Sequence, residues 1–419
     1  MRQIIASAGA ACLCATIAQA GGIERGANDY GKLFDSGNQF TFSLAHVTPR
    51  VSGTYSEDAL AAAALTGVGA GVTETGSMAE SYTTMSVAYT NDFSEKLTFG
   101  LFQNDAYGAN ASYTAGFYTG LQADWKSDQL AAILRYQLAD RISVLGGLRY
   151  VQSEAVITIP DQLIRAATLG QAQDAADAAA AAAEAGDLVL AATLTAQATL
   201  LNDIATTTPA GGLTYNAQGE KRGDLGYVLG FAYEIPEIAL RVALTWESEV
   251  EHNFDSAEQL AGFGVDVTNN TRVTMPQSLA LDFQTGIAQN TLLFGQVKWT
   301  EWSKWEVRTP EYETITGGAV TGFDNDTITW QVGVGRRFSE AVSGFAQVTY
   351  EKANGGEASR LSPTDGSLSL GIGAQYTNAN VKLRGGLQYV KIGDAVVADG
   401  SRFEGNSAIA AGGSLTLTF

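Results

Sequence analysis

The sequence predicts an all-β fold: a transmembrane antiparallel β-barrel of about fourteen strands, with a short N-terminal hatch and helical insertions in its longer loops. Three observations predict it. Apolar and polar residues alternate with period 2, from residue 39 to the end, in segments of roughly ten residues. That is the length a tilted strand needs to cross a bilayer. The connections between segments alternate between short and long. The mean hydropathy is zero, too apolar for a disordered chain and too polar for a helical membrane protein.

The elements follow in order. Met1-Arg2 opens the chain with a basic charge, Ile4 to Ile17 is apolar, and Ala18-Gln19-Ala20 is a small-x-small site. Residues 1–20 therefore read as a signal peptide cleaved before Gly21. Cys12 and Cys14 leave with it, so no disulfide holds the mature chain. A lipoprotein reading of Cys12 is weak, because Gly9-Ala10-Ala11 lacks the usual leucine. Residues 39–419 form the barrel, preceded by the short segment 21–38, for which the family resemblance given below implies a hatch.

Strands are expected at roughly 39–48, 80–90, 96–104, 129–138, 142–152, 224–235, 239–249, 276–286, 291–302, 327–338, 342–352, 367–377, 381–392 and 408–419. The long connections are 49–79, 105–128, 153–223, 250–275, 303–326, 353–366 and 393–407. A soluble sandwich has no reason to gather every long loop at one edge, whereas outer-membrane barrels do. In 381–389, Val381, Leu383, Leu387 and Tyr389 oppose Lys382, Arg384, Gly386 and Gln388. The polar faces carry both signs of charge, at Arg135, Arg149, Glu247, Asp282, Lys298, Arg337, Glu351 and Arg384, which suits a closed lumen. Tyr89, Tyr136, Trp246, Trp299, Trp302, Trp330 and Tyr350 lie near strand ends, as an interfacial girdle requires. Leu415, Leu417 and Phe419 alternate outward on a last strand that serves as assembly signal for the barrel assembly machinery.

Residues 58–66 and 161–205 are alanine-rich and helical in propensity. In the second, Leu190, Leu194, Leu201 and Ile204 share a stripe, and Gly186-Asp187 reads as a helix stop followed by a new N-cap. This predicts a helical hairpin inside the long loop 153–223.

Lys96-Leu97-Thr98-Phe99-Gly100-Leu101, Leu138-Ala139-Asp140-Arg141-Ile142-Ser143-Val144, Gly223-Asp224-Leu225-Gly226-Tyr227, Arg241-Val242-Ala243-Leu244-Thr245-Trp246, Met275-Pro276-Gln277-Ser278 and Trp302-Ser303-Lys304-Trp305 resemble the strands of the FadL/TodX family. These are outer-membrane transporters of long-chain fatty acids and other hydrophobic compounds. The likeness lies in the order and spacing of these segments over residues 80–392. It implies a fourteen-stranded barrel plugged by a hatch, with capture by external loops and lateral release through a gap at a kinked third strand. The chain departs from the family pattern twice. Leu33-Phe34-Asp35-Ser36-Gly37-Asn38 replaces an Asn-Pro-Ala segment, and the kink Asn104-Asp105-Ala106-Tyr107-Gly108 carries alanine in place of proline.

Candidate functional residues follow. Asn104, Asp105, Ala106, Tyr107 and Gly108 are the lateral gate, or an ordinary strand end. Arg149, Arg241, Lys298 and Arg384 are lumen cations for a fatty carboxylate, or structural partners of Glu247 and Asp282. Trp302 and Trp305 line a groove at the mouth, or belong to the girdle. Acidic loops such as Asp324-Asn325-Asp326 bridge lipopolysaccharide through divalent cations, or are simply solvated.

A net charge of −19 excludes a basic nucleic-acid face, and two histidines without body cysteines argue against a zinc framework. No cofactor or metal is expected. The partners are a hydrophobic small molecule and the lipid of the outer membrane, the oligomeric state is a monomer, and the chain is not an enzyme. Two other classes compete with the transporter. One is an outer-membrane hydrolase using Ser248, His252 and Asp255; the other is a water-filled or structural porin. No G-x-S-x-G, P-loop or dinucleotide fingerprint supports an enzyme.

Overall fold

The computed structural model describes residues 22–419, so the signal peptide and its cleavage site lie outside the described residues. Fourteen antiparallel strands close into a barrel: β1 (Gln39–Arg50), β2 (Tyr82–Ser94), β3 (Leu97–Ser112), β4 (Gln122–Ala139), β5 (Ile142–Ile159), β6 (Tyr215–Ile235), β7 (Leu240–Glu247), β8 (Ser278–Ala288), β9 (Thr291–Thr300), β10 (Thr327–Arg337), β11 (Val342–Glu351), β12 (Ser367–Asn378), β13 (Val381–Ile392) and β14 (Ser407–Thr418). Each pairs with its sequence neighbour, and the seam is the β1–β14 ladder, from Gln39↔Thr418 to Arg50↔Ser407. Closure leaves no open edge to lipid.

The faces follow from where each side chain can be solvated. Leu368, Leu370 and Ile372 point outward and are half exposed, as are Leu383, Leu387 and Tyr389. Their inward neighbours are polar or glycine. One strand end is joined by tight turns such as Asp140-Arg141 and Ala379-Asn380, and the other carries every long connection.

Residues 250–275 are not a loop. Val250–Leu260 and Val265–Met275 form a hairpin that continues β7 and β8 upward, past irregular residues at Ser248-Glu249 and Pro276-Gln277. Its edge pairs with the top of β6, from Asn216↔Gln259 to Gly219↔Ser256. The inward side of Val250–Leu260 carries His252, Ser256 and Glu258 among apolar residues. The outward side is polar because it meets water rather than lipid, so no clean alternation marks the strand. With β4 and β5 at 18 residues each and β6 at 21, the hairpin makes one side of the wall a tall collar.

Four helices sit on the loop side. α1 (Glu57–Thr66) starts at Ser56, whose hydroxyl accepts from Ala59 N–H at 3.1 Å. α2 (Asp161–Glu184) and α3 (Leu188–Thr207) form the hairpin within the loop after β5. Gly186 turns the chain at φ +83°, and Asp187 caps α3 by accepting from Leu190 N–H at 3.0 Å. Leu194, Ala198, Leu201 and Ile204 are half-buried on one stripe, whereas Leu190 is largely exposed. Five threonines of α3 turn their hydroxyls onto carbonyls one turn back, Thr193 onto Val189 among them. α4 (Pro310–Thr316) lies over the mouth.

Residues 22–38 lie inside the barrel. The helical turn Tyr30–Phe34 fills the lower lumen, with Leu33 fully buried against the side of β3 and Phe34 between the guanidinium groups of Arg135 and Arg241. Tyr30 donates to Glu247 at 2.6 Å and meets Phe102 edge-on.

The seam tests closure. Deleting residues 414–419 removes the lower end of the β14 ladder to β1 and β13. The expected outcome is loss of the heat-modifiable folded band on gels, with the protein recovered only as unfolded chain.

Candidate functional site

The wall has a window between β2 and β3. Their ladder runs up from Ser94↔Leu97 and ends at Ser86↔Asn104. It resumes only where the chain before β2 meets the top of β3, through Ser112 N–H to Met78 O and the Ala79–Ala111 bridge. Between these points, among the described residues, β2 and β3 make no backbone-to-backbone bond. Asp105 spans the lower edge by accepting from Met85 N–H at 2.8 Å. On the other side of β3 the ladder to β4 is continuous but bulged, with Ala106 the extra residue between Asp105↔Asp128 and Tyr107↔Ser127. The bulge bends the strand without a proline.

The exposed ladder groups of β3 are taken by the N-terminal segment. Gly108 N–H donates to Ile23 O at 2.8 Å, Arg25 N–H donates to Ala106 O at 2.8 Å, and Glu24 pairs with Tyr107. Arg25 then reaches across the window, its guanidinium 3.9 Å from the ring centre of Tyr82 on β2. Glycine is required on both sides of this contact. A Cβ on Gly108 would lie 2.6 Å from the Arg25 side chain, and one on Gly26 would lie 2.6 Å from Asp105 O.

This segment separates two cavities. The upper one, about 370 Å³ with its opening to solvent included, is floored by Ile23 and lined by the rings of Trp125, Trp305 and Phe323; among the described residues its one charged lining residue is Asp124. The lower one, about 780 Å³, is polar and reaches the window. Its lining includes Met85, Asn104 and Asp105, which border the window from the lumen side. A third space of about 1000 Å³ lies across the lumen near Arg241 and Asp282.

The four candidate cations do not converge. Arg149 is fully buried. It donates to Glu247 at 2.8 Å, to Ser248 O at 2.8 Å and to Gln129 at 3.2 Å, so it serves as a brace between β5 and β7. Lys298 is paired with Glu24 of the plug. Arg241 donates to Gln284 at 3.3 Å and packs on Phe34. Arg384 lies over Phe345, 4.4 Å from its ring centre, and lines the lower cavity.

Trp302 and Trp305 are buried at the mouth and do not belong to a girdle facing lipid. Trp305 lines the upper cavity, while Trp302 packs on Gly22 and Tyr107. The loop bearing them is clamped down by Glu258. Its buried carboxylate accepts from Tyr215 O–H at 2.9 Å and from the first backbone N–H groups of α4, those of Glu311 and Tyr312. Asp326 is also engaged within the fold, accepting from Ser303 and Trp299.

Ser248, His252 and Asp255 do not form a set. Ser248 Oγ lies 2.9 Å from Tyr227 N–H and 3.0 Å from Glu249 O, and Asp255 faces outward. His252 instead accepts at Nε2 from Ser153 (3.1 Å) and donates through Nδ1 to Asp224 (2.8 Å). Ser127 and Trp125 extend the chain, at 2.7 and 2.8 Å. Ser153 is buried, and its hydroxyl is flanked by Ser127 and His252. The arrangement is a clasp that fixes the collar hairpin and the Trp125 ring.

Sequence reasoning missed Glu24, Arg25, Trp125, Ser153 and Asp224. Glu24, Arg25, Trp125 and Ser153 sit in no motif, and Asp224, within the segment Gly223–Tyr227, meets His252 only through the folded wall.

A fourteen-strand barrel with a plugged lumen and a window in its wall defines a transport channel of outer-membrane type. Residues 33–403 match the profile of the outer membrane protein transport family (OMPP1/FadL/TodX), and the chain belongs to that family. No curated protein matches it. Among solved structures it is similar to a Pseudomonas aeruginosa FadL homologue, at 13% identity and TM-score 0.65, covering 94% of this chain and 93% of that one. The P. putida toluene transporter TodX aligns at 14% identity and TM-score 0.59, covering 94% and 93%. The Ralstonia pickettii toluene transporter TbuX aligns at 12% and 0.55, covering 92% and 90%.

Burial lowers the pKa of His252 below its ordinary 6.5; Arg222 and Arg149 push the same way, and Asp224 opposes them. The neutral clasp therefore contributes its full stability above pH 6.5 and loses it as pH falls from there through the folded-state value. Amide protection factors in residues 250–275, which correct for the pH dependence of intrinsic exchange, should fall over that range. His252→Gln should flatten the dependence.

Proposed function

We propose that this chain moves hydrophobic molecules passively across the outer membrane, with capture in the aromatic cavity at the mouth and sideways release into the membrane through the β2–β3 window. The observation that carries the reading is that one segment, Ile23–Gly26, both floors the upper cavity and occupies the window strand. Lifting it joins the two cavities into one route that ends at the wall. An apolar cargo on that route gains little by crossing a polar lumen and much by staying near lipid. Capture draws on the hydrophobic effect, about 0.8 kcal/mol per buried methylene, and the protein supplies neither an energy source nor a chemical step. Long-chain fatty acids and toluene-like hydrocarbons are the cargo classes known or named for relatives.

Glu24 and Tyr107 are a non-hydrogen-bonded antiparallel pair, flanked by the two bonds given above, which brings their Cβ atoms within disulfide reach. The mature chain is free of other cysteines. In a Glu24→Cys, Tyr107→Cys double variant, oxidation should cut uptake of a hydrophobic substrate at least tenfold, and reductant should restore it. Equal uptake in both redox states, with the crosslink confirmed by mass, means that the route bypasses this segment.

A further inference from the structure

Both cavities contain a buried hydrogen-bonding group without a partner. Trp305 is 4% exposed, and its indole N–H has no acceptor among the described residues. Asn104, in the lower cavity, is 3% exposed, and neither its carboxamide N–H₂ nor its carbonyl oxygen has a partner. Leaving such groups unpaired carries the full cost of removing them from water. Among the described residues Trp302 Nε1, Arg25 Nε and Glu24 Oε2 also lack partners, but Trp302 and Glu24 are absent from the linings of both cavities, while Arg149, Lys298 and Arg241 are committed to Glu247, Glu24 and Gln284.

We propose that the preferred cargo is a neutral hydrophobe bearing a hydroxyl group, a phenol or an alcohol, rather than a carboxylate or a bare hydrocarbon. This inference rests on the transport reading above. A hydroxyl oxygen accepts from Trp305 in the upper cavity. Below the plug, the same group can both accept from and donate to Asn104, because a hydroxyl carries a donor and an acceptor on one atom. A hydrocarbon satisfies neither. A carboxylate meets an aromatic cavity whose one charged lining residue, Asp124, is itself an anion, held by Asn110 and Lys126 at 3.0 Å each. Moving an ionised carboxylate there without a free cation is costly. The three rings lining the upper cavity favour a flat aromatic body.

The test uses three probes with one ring system: naphthalene, 2-naphthol and 2-naphthoate, each titrated calorimetrically at neutral pH into the protein in lipid nanodiscs. 2-Naphthol should bind about tenfold more tightly than either of the others, the equivalent of one net hydrogen bond. Trp305→Phe, with folding checked by heat-modifiability, should lower naphthol affinity severalfold more than naphthalene affinity and so erase the naphthol preference. Asn104→Leu should lower naphthol uptake severalfold more than naphthalene uptake. Naphthoate binding as tightly as naphthol, or a Trp305→Phe variant that weakens all three probes alike, overturns the hydroxyl assignment while the transport reading stands. Failure of all three probes to bind the wild type overturns both.

Discussion

A chain that spans lipid with strands must pair every backbone donor and acceptor, since the hydrocarbon offers none. The whole molecule answers to that rule. It forces the β1–β14 seam, and it makes an opening in the wall expensive. The window between β2 and β3 exists because its ladder groups have other partners: the plug backbone takes those of β3, and the Asp105 carboxylate takes Met85 N–H. The break in the β2–β3 ladder and the plug in the lumen are thus coupled. The segment that fills the lumen also keeps the break from being an unpaired edge.

The same rule explains how the ion pairs are used. Arg149 sits at the height where β7 breaks at Ser248-Glu249, and it accepts the role of bracing Glu247, Ser248 O and Gln129 there. Lys298 anchors Glu24 from the opposite wall. These two buried cations hold irregular backbone and the plug in place.

What was legible in the sequence tracks where lipid meets the chain. All fourteen barrel strands were readable where they meet lipid, because lipid on one side and polar lumen on the other enforce alternation at Leu368-Ser369-Leu370 and its equivalents. Above the lipid the reading failed, since 105–128 and 153–223, expected as loops, carry the upper ends of β3 to Ser112, β4 from Gln122, β5 to Ile159 and β6 from Tyr215. The helix break at Gly186-Asp187 was readable because capping is local chemistry. The collar hairpin at 250–275 was not, because water on its outer face and His252 and Glu258 on its inner face remove the contrast. The β3 segment Asn104–Gly108 stood out through its family likeness, yet that the plug fills its ladder could not be read from a sequence without periodicity at 22–38. The partners of His252, which are Ser153 and Asp224, are 99 and 28 residues away, so spacing pointed to the wrong serine and the wrong acid.

The height of the collar has a consequence for encounter. β6 runs for 21 residues where about ten cross the bilayer. The remaining residues, at about 3.3 Å each and a tilt near 40°, raise the rim roughly 25 Å above the lipid. A dissolved molecule therefore meets the rim before it meets the membrane surface. The target it must find by diffusion is a tower rather than a hole in a plane, and it can be approached from the side as well as from above. The bore of the barrel limits how large a cargo can pass; the reach of the collar sets how often one arrives.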